Sequence, residues 1–191
     1  DYGIGWWKYS YVYTLMSDEG DLNNTRDCYK SWRINLGDWN PSEGGFGEKW
    51  VPLYQQIRHL YVFLDNVKVV SGQREIDSQD KVDNLKLEAR FLIAYFHVLL
   101  FEQFGPIPIV KSAVSVDAPI EELKVSRNSV DEVVNWLDEE LLNIANALPK
   151  VAQSESYAAR PTQSAALAVR ARLLLYAASP LNNPSGDIEK W

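Results

Sequence analysis

Two stretches, Leu85–Val110 and Arg160–Asn182, constrain the fold most, because each carries apolar residues on more than one face of a helix. Leu85, Ala89, Leu92, Phe96 and Leu99 recur at steps of three and four, and Phe91, Tyr95 and Val98 widen that stripe past half the circumference. A helix patterned this way, running from about Lys81 to Gln103, is predicted to be buried on two sides between other helices. Gly105-Pro106 should end it, since glycine permits a left-handed cap and proline cannot continue the hydrogen-bond ladder. The second stretch is predicted to be helical from an N-cap at Thr162 to Ala178, before Ser179-Pro180. Its Ala165, Ala166, Ala168, Ala171, Ala177 and Ala178 would let a neighbouring helix approach closely, while Val169, Leu173, Leu174 and Tyr176 supply buried area.

Helical spacing dominates the rest of the chain from Trp50 onward. Trp50, Tyr54, Ile57, Tyr61, Leu64 and Val67 form one stripe that Ser71-Gly72 closes. Ser129-Val130-Asp131-Glu132 has capping-box spacing and opens a helix with Val133, Val134, Leu137, Leu141, Ile144 and Leu148 on one face, stopped by Pro149. Ile107-Pro108-Ile109-Val110 reads as a short apolar extended segment, and Lys111–Arg127 and Val151–Ala159 as loops. Before Trp50 the pattern changes. Trp6–Met16 is read as a helix with Trp6, Tyr9, Tyr13 and Met16 on a face, Ser17–Asn24 as a polar turn, and Asp38–Gly47 as a Gly/Pro/Asn loop. The predicted fold is all-α, made of antiparallel helix pairs of tetratricopeptide-like (α/α superhelix) architecture with long loops, although the ordinary tetratricopeptide repeat pattern is not cleanly matched.

A formal net charge of -7 makes an acidic surface that repels phosphate backbones, so nucleic acid is not expected as a partner. The one cysteine, Cys28, excludes an intrachain disulfide and a cysteine-based metal cluster, and reads as a small buried apolar residue. No signal peptide is visible and no apolar run approaches the roughly 20 residues that span a bilayer. His59 and His97 lie in predicted helices without a second ligand at metal spacing and read as ordinary helical residues. No nucleophile elbow or phosphate-cradling glycine loop occurs, so neither a catalytic residue, a cofactor nor a metal is expected. Asp138-Glu139-Glu140 is expected on a solvated helix face, and the Asp18–Asp27 stretch lacks the alternating ligands of an EF-hand.

The remaining chemistry is aromatic. Of 7 Trp, five fall within the first 50 residues, at Trp6, Trp7, Trp32, Trp39 and Trp50. Indole and phenol faces can stack on the apolar C–H faces of sugar rings, while Asp, Asn and Arg reach hydroxyl pairs. Trp39, flanked by Asp38 and Asn40 in a Gly/Pro-rich loop, has that chemistry, with Asp18, Asp21 and Asn23 as polar partners and Trp32 as a further contact. The alternative is that Trp39 folds back as a core anchor, as is expected of Trp6, Trp7 and Trp50 within helical stripes.

Leu87-Glu88-Ala89-Arg90-Phe91-Leu92-Ile93-Ala94-Tyr95-Phe96, followed by Phe104-Gly105-Pro106-Ile107-Pro108-Ile109-Val110, resembles a signature of the SusD/RagB family. Arg160-Pro161-Thr162 and the run from Ala165 to Asn182 resemble a second one, in the family's order and separation. Trp50, Tyr54, Ile57-Arg58 and Phe63-Leu64-Asp65-Asn66, together with the Ser17-Asp18-Glu19 turn and Arg127 and Ser129, are similar to further family positions. Departures are Tyr61 where the family often has Asn, Ala159 where it has Gly, and Pro161 where it has Ala. The first bears on local hydrogen bonding.

The resemblance implies a surface-exposed lipoprotein of the outer membrane in Bacteroidota, held to the membrane only by a lipid anchor. Such proteins bind an oligosaccharide, or in some branches a peptide, serve a SusC-like TonB-dependent transporter, and catalyse nothing. Family members are longer, so residues 1–191 would be the N-terminal helical part of a longer protein, and Cys28 lies too deep to be the lipidated residue. Peptide capture for import, a tetratricopeptide-like scaffold for protein partners and an α/α-barrel glycosidase are the competing readings.

Overall fold

The computed structural model describes residues 17–18, 35–38, 40, 49–115, 117–151 and 158–190. The expected helix Trp6–Met16, Cys28 and most of the two N-terminal loops lie outside these residues. The chain divides into two compact units, Asp1–Pro52 and Leu53–Trp191. Every regular element among the described residues is a helix: α1 (Trp50–Asn66), α2 (Gln79–Phe104), α3 (Ile120–Leu123), α4 (Val130–Ala147) and α5 (Gln163–Ala177).

α4 forms where local sequence says it should. The Ser129 hydroxyl accepts from the Glu132 amide at 3.3 Å, and the Ser129 amide donates to Glu132 Oε2 at 2.7 Å, which satisfies two end groups reciprocally. These bonds also hold the Glu132 carboxyl below the usual carboxylate range. All six positions of the expected stripe are buried, from Val133 to Leu148. α5 starts at Thr162 as expected, the Thr162 hydroxyl accepting from the Ala165 amide at 3.4 Å. It pairs most closely with α4, and α2 packs on both.

α2 is buried on two sides, as its wide stripe implies, but the seam is displaced. Leu85, Leu92, Phe96 and Leu99 are half-buried flanks, whereas Val82, Ala89, Ile93, Ala94, Val98, Leu100 and Phe101 are buried. Its end follows expectation. Gly105 has φ of 65°, a left-handed conformation that a side chain would strain, and its amide closes on the Phe101 carbonyl at 2.8 Å. Lys111–Arg127 is a loop, but with one helical turn, α3, inside it.

Charged side chains tie the three long helices together. Arg90 Nη2 of α2 lies 2.8 Å from Glu140 of α4, and Arg170 Nε of α5 lies 2.7 Å from Asp138 of α4. Arg172 of α5 pairs with Glu102 of α2, whose carbonyl also accepts from the Tyr176 hydroxyl at 2.8 Å. Asp138 and Glu140 therefore do not belong to a solvated face. They are half-buried, with partners contributed from distant sequence, and only Glu139 of that cluster is exposed.

Among the described residues no strand lies beside the extended segment Ile107–Val110, and much of its backbone is satisfied by side chains. From α1, the Tyr54 hydroxyl donates to the Pro108 carbonyl at 2.8 Å and the Tyr61 hydroxyl to the Val110 carbonyl at 3.0 Å. Tyr61 is one of the three departures from the family pattern, and it takes part in this local hydrogen bonding through its hydroxyl. Asn128 takes the other edge: its amide donates to the Ile107 carbonyl at 3.0 Å and its Oδ1 accepts from the Ile109 amide at 3.0 Å. His97 completes the set by accepting from the Val110 amide at 3.3 Å. It is fully buried and bonded at both ring nitrogens, a helical residue with a structural role.

Candidate ligand-binding site

Of the residues singled out for ligand contact, Asp18, Asp38 and Asn40 are described. All three are exposed: Asp18 in a turn, and Asp38 and Asn40 just beyond the Asn35–Gly37 turn, where Gly37 takes φ of 71°. Exposed carboxylate and amide groups on turns suit a shallow hydroxyl-binding surface better than a deep pocket. Trp39, Trp32, Asp21 and Asn23 lie outside the described residues.

A separate cleft of about 140 Å³ opens where the start of α2 meets the entry to α5, lined by Glu75, Lys81, Asn84, Glu88, Leu148 and Arg160, among others. Its floor is an ion pair. Arg160 Nη1 donates to both oxygens of Glu88, at 3.0 and 2.8 Å, with both side chains partly shielded from water. Lys81 is also committed, donating to the Arg74 carbonyl at 2.6 Å and lying 2.8 Å from Asp77. The cleft's 140 Å³ falls below the roughly 300–1,000 Å³ usual for small-molecule pockets, and its cations are already neutralised. It accommodates water or a few atoms, not an oligosaccharide.

Of the expected contact residues that are described, none lines this cleft, and sequence reasoning did not find it. The signal was present in Glu88, a charge beside Leu87 and Ala89 in α2, and in Arg160, a charge beside Ala159 and Pro161 just before α5. They join the two stretches that most constrained the fold, so those stretches act as scaffold. Among the described residues no group of three or more His, Cys, Asp or Glu side chains could hold a metal ion. None of the helices among them is long and apolar enough to cross a membrane.

A family model described as SusD-like, "Starch-binding associating with outer membrane", matches residues 8–175. No curated protein matches. Among solved structures, BT4246 is 35% identical over 74% of this chain with a TM-score of 0.61, and the match covers 23% of that protein. A SusD-like carbohydrate-binding protein from Bacteroides fragilis aligns over 89% of this chain at 24% identity and a TM-score of 0.67, covering 32% of its own length. Surface glycan-binding protein A from Bacteroides uniformis aligns over 82% at 19% identity and a TM-score of 0.60, covering 33% of its length. The present chain thus spans between about a quarter and a third of these proteins.

Proposed function

The chain belongs to the SusD-like family of outer-membrane-associated glycan-binding proteins, and from that premise we propose that it captures an oligosaccharide at the cell surface and delivers it to a SusC-like TonB-dependent transporter. It acts by binding alone, without catalysis, and reaches the membrane through a lipid anchor. The observation that carries this reading is the family match over residues 8–175, which takes in the first signature stretch whole and the second as far as Leu175. Recognition runs through Trp39, supported by Asp18, Asp21 and Asn23, with Trp32, Asp38 and Asn40 extending the surface. Because hydroxyl contacts largely replace equivalent ones to water, a single such site binds with modest affinity.

Calorimetric titration of the full-length protein with a glycan panel and a peptide mixture tests the ligand class. Heat from glycans is the expected result, and binding of peptides alone would overturn it. Co-purification of a barrel transporter from membranes tests the delivery step. Loss of glycan binding in Trp39→Ala with unchanged thermal stability would support the stacking role. Lost stability with intact binding would make Trp39 a core anchor.

Residues 1–191 are, on this reading, the N-terminal helical part of a longer protein. The exposed apolar side of α5 (Leu167, Ala168, Ala171, Leu175 and Ala178) is then the seam on which the following part packs.

A further inference from the structure

Among the described residues, His97 is the one buried ionisable side chain that neither the ion pairs nor the proposed ligand surface uses, and its bonding fixes its chemistry. Its Nδ1 lies 2.8 Å from the Ile93 carbonyl, which can only accept, so Nδ1 carries the proton. Nε2 must then be the bare nitrogen, and it accepts from the Val110 amide. The ring is neutral, in one tautomer, with both positions taken.

We propose that His97 is an acid-sensitive clasp: a proton taken up from solvent at Nε2 turns the acceptor for the Val110 amide into a second donor, and the Val110 end of the extended segment is released with the loop that follows it.

The surroundings make release, rather than accommodation, the response to that proton. The Tyr54 ring from α1 meets the imidazole edge-on at 6.2 Å between centroids, and the Trp136 ring from α4 does so at 4.9 Å. The ionisable groups facing this site are Tyr54, the Lys111 ammonium 5.7 Å from the Trp136 ring centroid, and Arg127, whose charge acts on the Tyr54 hydroxyl. Glu140 and Arg90 act on Tyr61, farther along α1. Among the described residues no carboxylate contributes to the shift of the imidazole, and the Lys111 ammonium shares its Trp136 neighbour. Burial accordingly pushes the His97 pKa down to about 4, with the Ile93 carbonyl partly opposing.

The release is local because the two ends of the segment are held differently. Ile107 is fully buried and its carbonyl accepts from the Asn128 amide, with Asn128 Oδ1 accepting from the Ile109 amide, whereas Val110 is half-buried and the described residues that follow it as far as Arg127 are exposed or half-buried. The second contact on Val110, from Tyr61, does not titrate in acid, since its pKa is pushed up to about 12. The sign follows from linkage. A ring whose pKa is held down to about 4 when clasped and rises as release admits water keeps the clasp at neutral pH and loses it as pH falls toward 4.

Amide hydrogen exchange on the full 191-residue chain, expressed as protection factors to remove the intrinsic pH dependence, tests this. Relative to pH 7.5, the Val110 amide is expected to lose protection progressively, by several-fold at pH 4.5. Val98 and Leu137 should keep theirs. In Tyr61→Phe, the Val110 amide should start less protected yet show the same pH slope. Unchanged Val110 protection down to pH 4.5 would overturn the proposal. So would loss that tracks Val98 and Leu137, which would make His97 a group governing global unfolding only.

Discussion

α4 and α5 are neighbours of similar length, yet they solve the burial problem differently. α4 hides every position of a single stripe and turns Asn135, Glu139, Asn143 and Asn146 outward, the pattern of a helix at the edge of a core. α5 buries Ala166, Leu173 and Ala177 but leaves Leu167, Ala168, Ala171, Leu175 and Ala178 in solvent, with Leu175 75% exposed. A helix apolar all round belongs inside a protein. The difference teaches that α4 is finished within this chain while α5 is patterned for neighbours on both sides.

The largest effect should come from the finished face. Leu137 is fully buried, so Leu137→Ala is expected to cost about 2–5 kcal/mol in urea unfolding, the sum of lost transfer energy and a residual cavity. A loss below 1 kcal/mol would mean that the α4–α5 seam closes over the gap, and the contrast between the helices would weaken. Asp138→Ala comes next. It leaves Arg170 without its carboxylate between the two helices, and because both side chains are about 30% exposed the loss is expected to be about 1–2 kcal/mol. The same substitution in an Arg170→Ala background should cost much less, which a double-mutant cycle would read directly.

What could be read in the sequence divides along the same line. The α4 stripe and its Ser129–Glu132 box are local, separated by three and four positions, and both were legible. The fate of Asp138 and Glu140 was not, because their partners Arg170 and Arg90 are 32 and 50 positions away. His97 looked ordinary for the same reason: its role depends on Val110 beyond a helix end and on rings from α1 and α4. In α2, burial on two sides widens the apolar arc until spacing no longer fixes its centre, which is why the expected stripe fell on the flanks. For the candidate site, only exposure was legible in the sequence, and Asp18, Asp38 and Asn40 are exposed. The pairing of Glu88 with Arg160 at the cleft needed a contact across 72 positions.

Ser129→Ala sharpens how far α4 stands on its own. Removing the cap hydroxyl leaves the Glu132 amide unsatisfied and should cost about 1 kcal/mol, seen as a lower urea midpoint at unchanged slope. Ser129→Asp restores an acceptor at the helix start and should recover most of that loss. If both variants match the wild type, packing alone fixes where α4 begins.

The smallest effect in this chain should be on the outer face of α5. Leu175→Ala removes a side chain that is mostly in water, so the 191-residue chain is expected to change by less than about 0.5 kcal/mol. The same substitution in a longer protein in which that face is covered should cost several times more, because it then opens a cavity between packed helices. Leu175→Lys separates the two settings further. It is tolerated on an open face, whereas on a covered one it places an unpaired ammonium inside an apolar seam. Equal effects in the short and long proteins would show that α5's outer face stays open. Its apolar pattern would then mark contact with another molecule rather than with the polypeptide that follows.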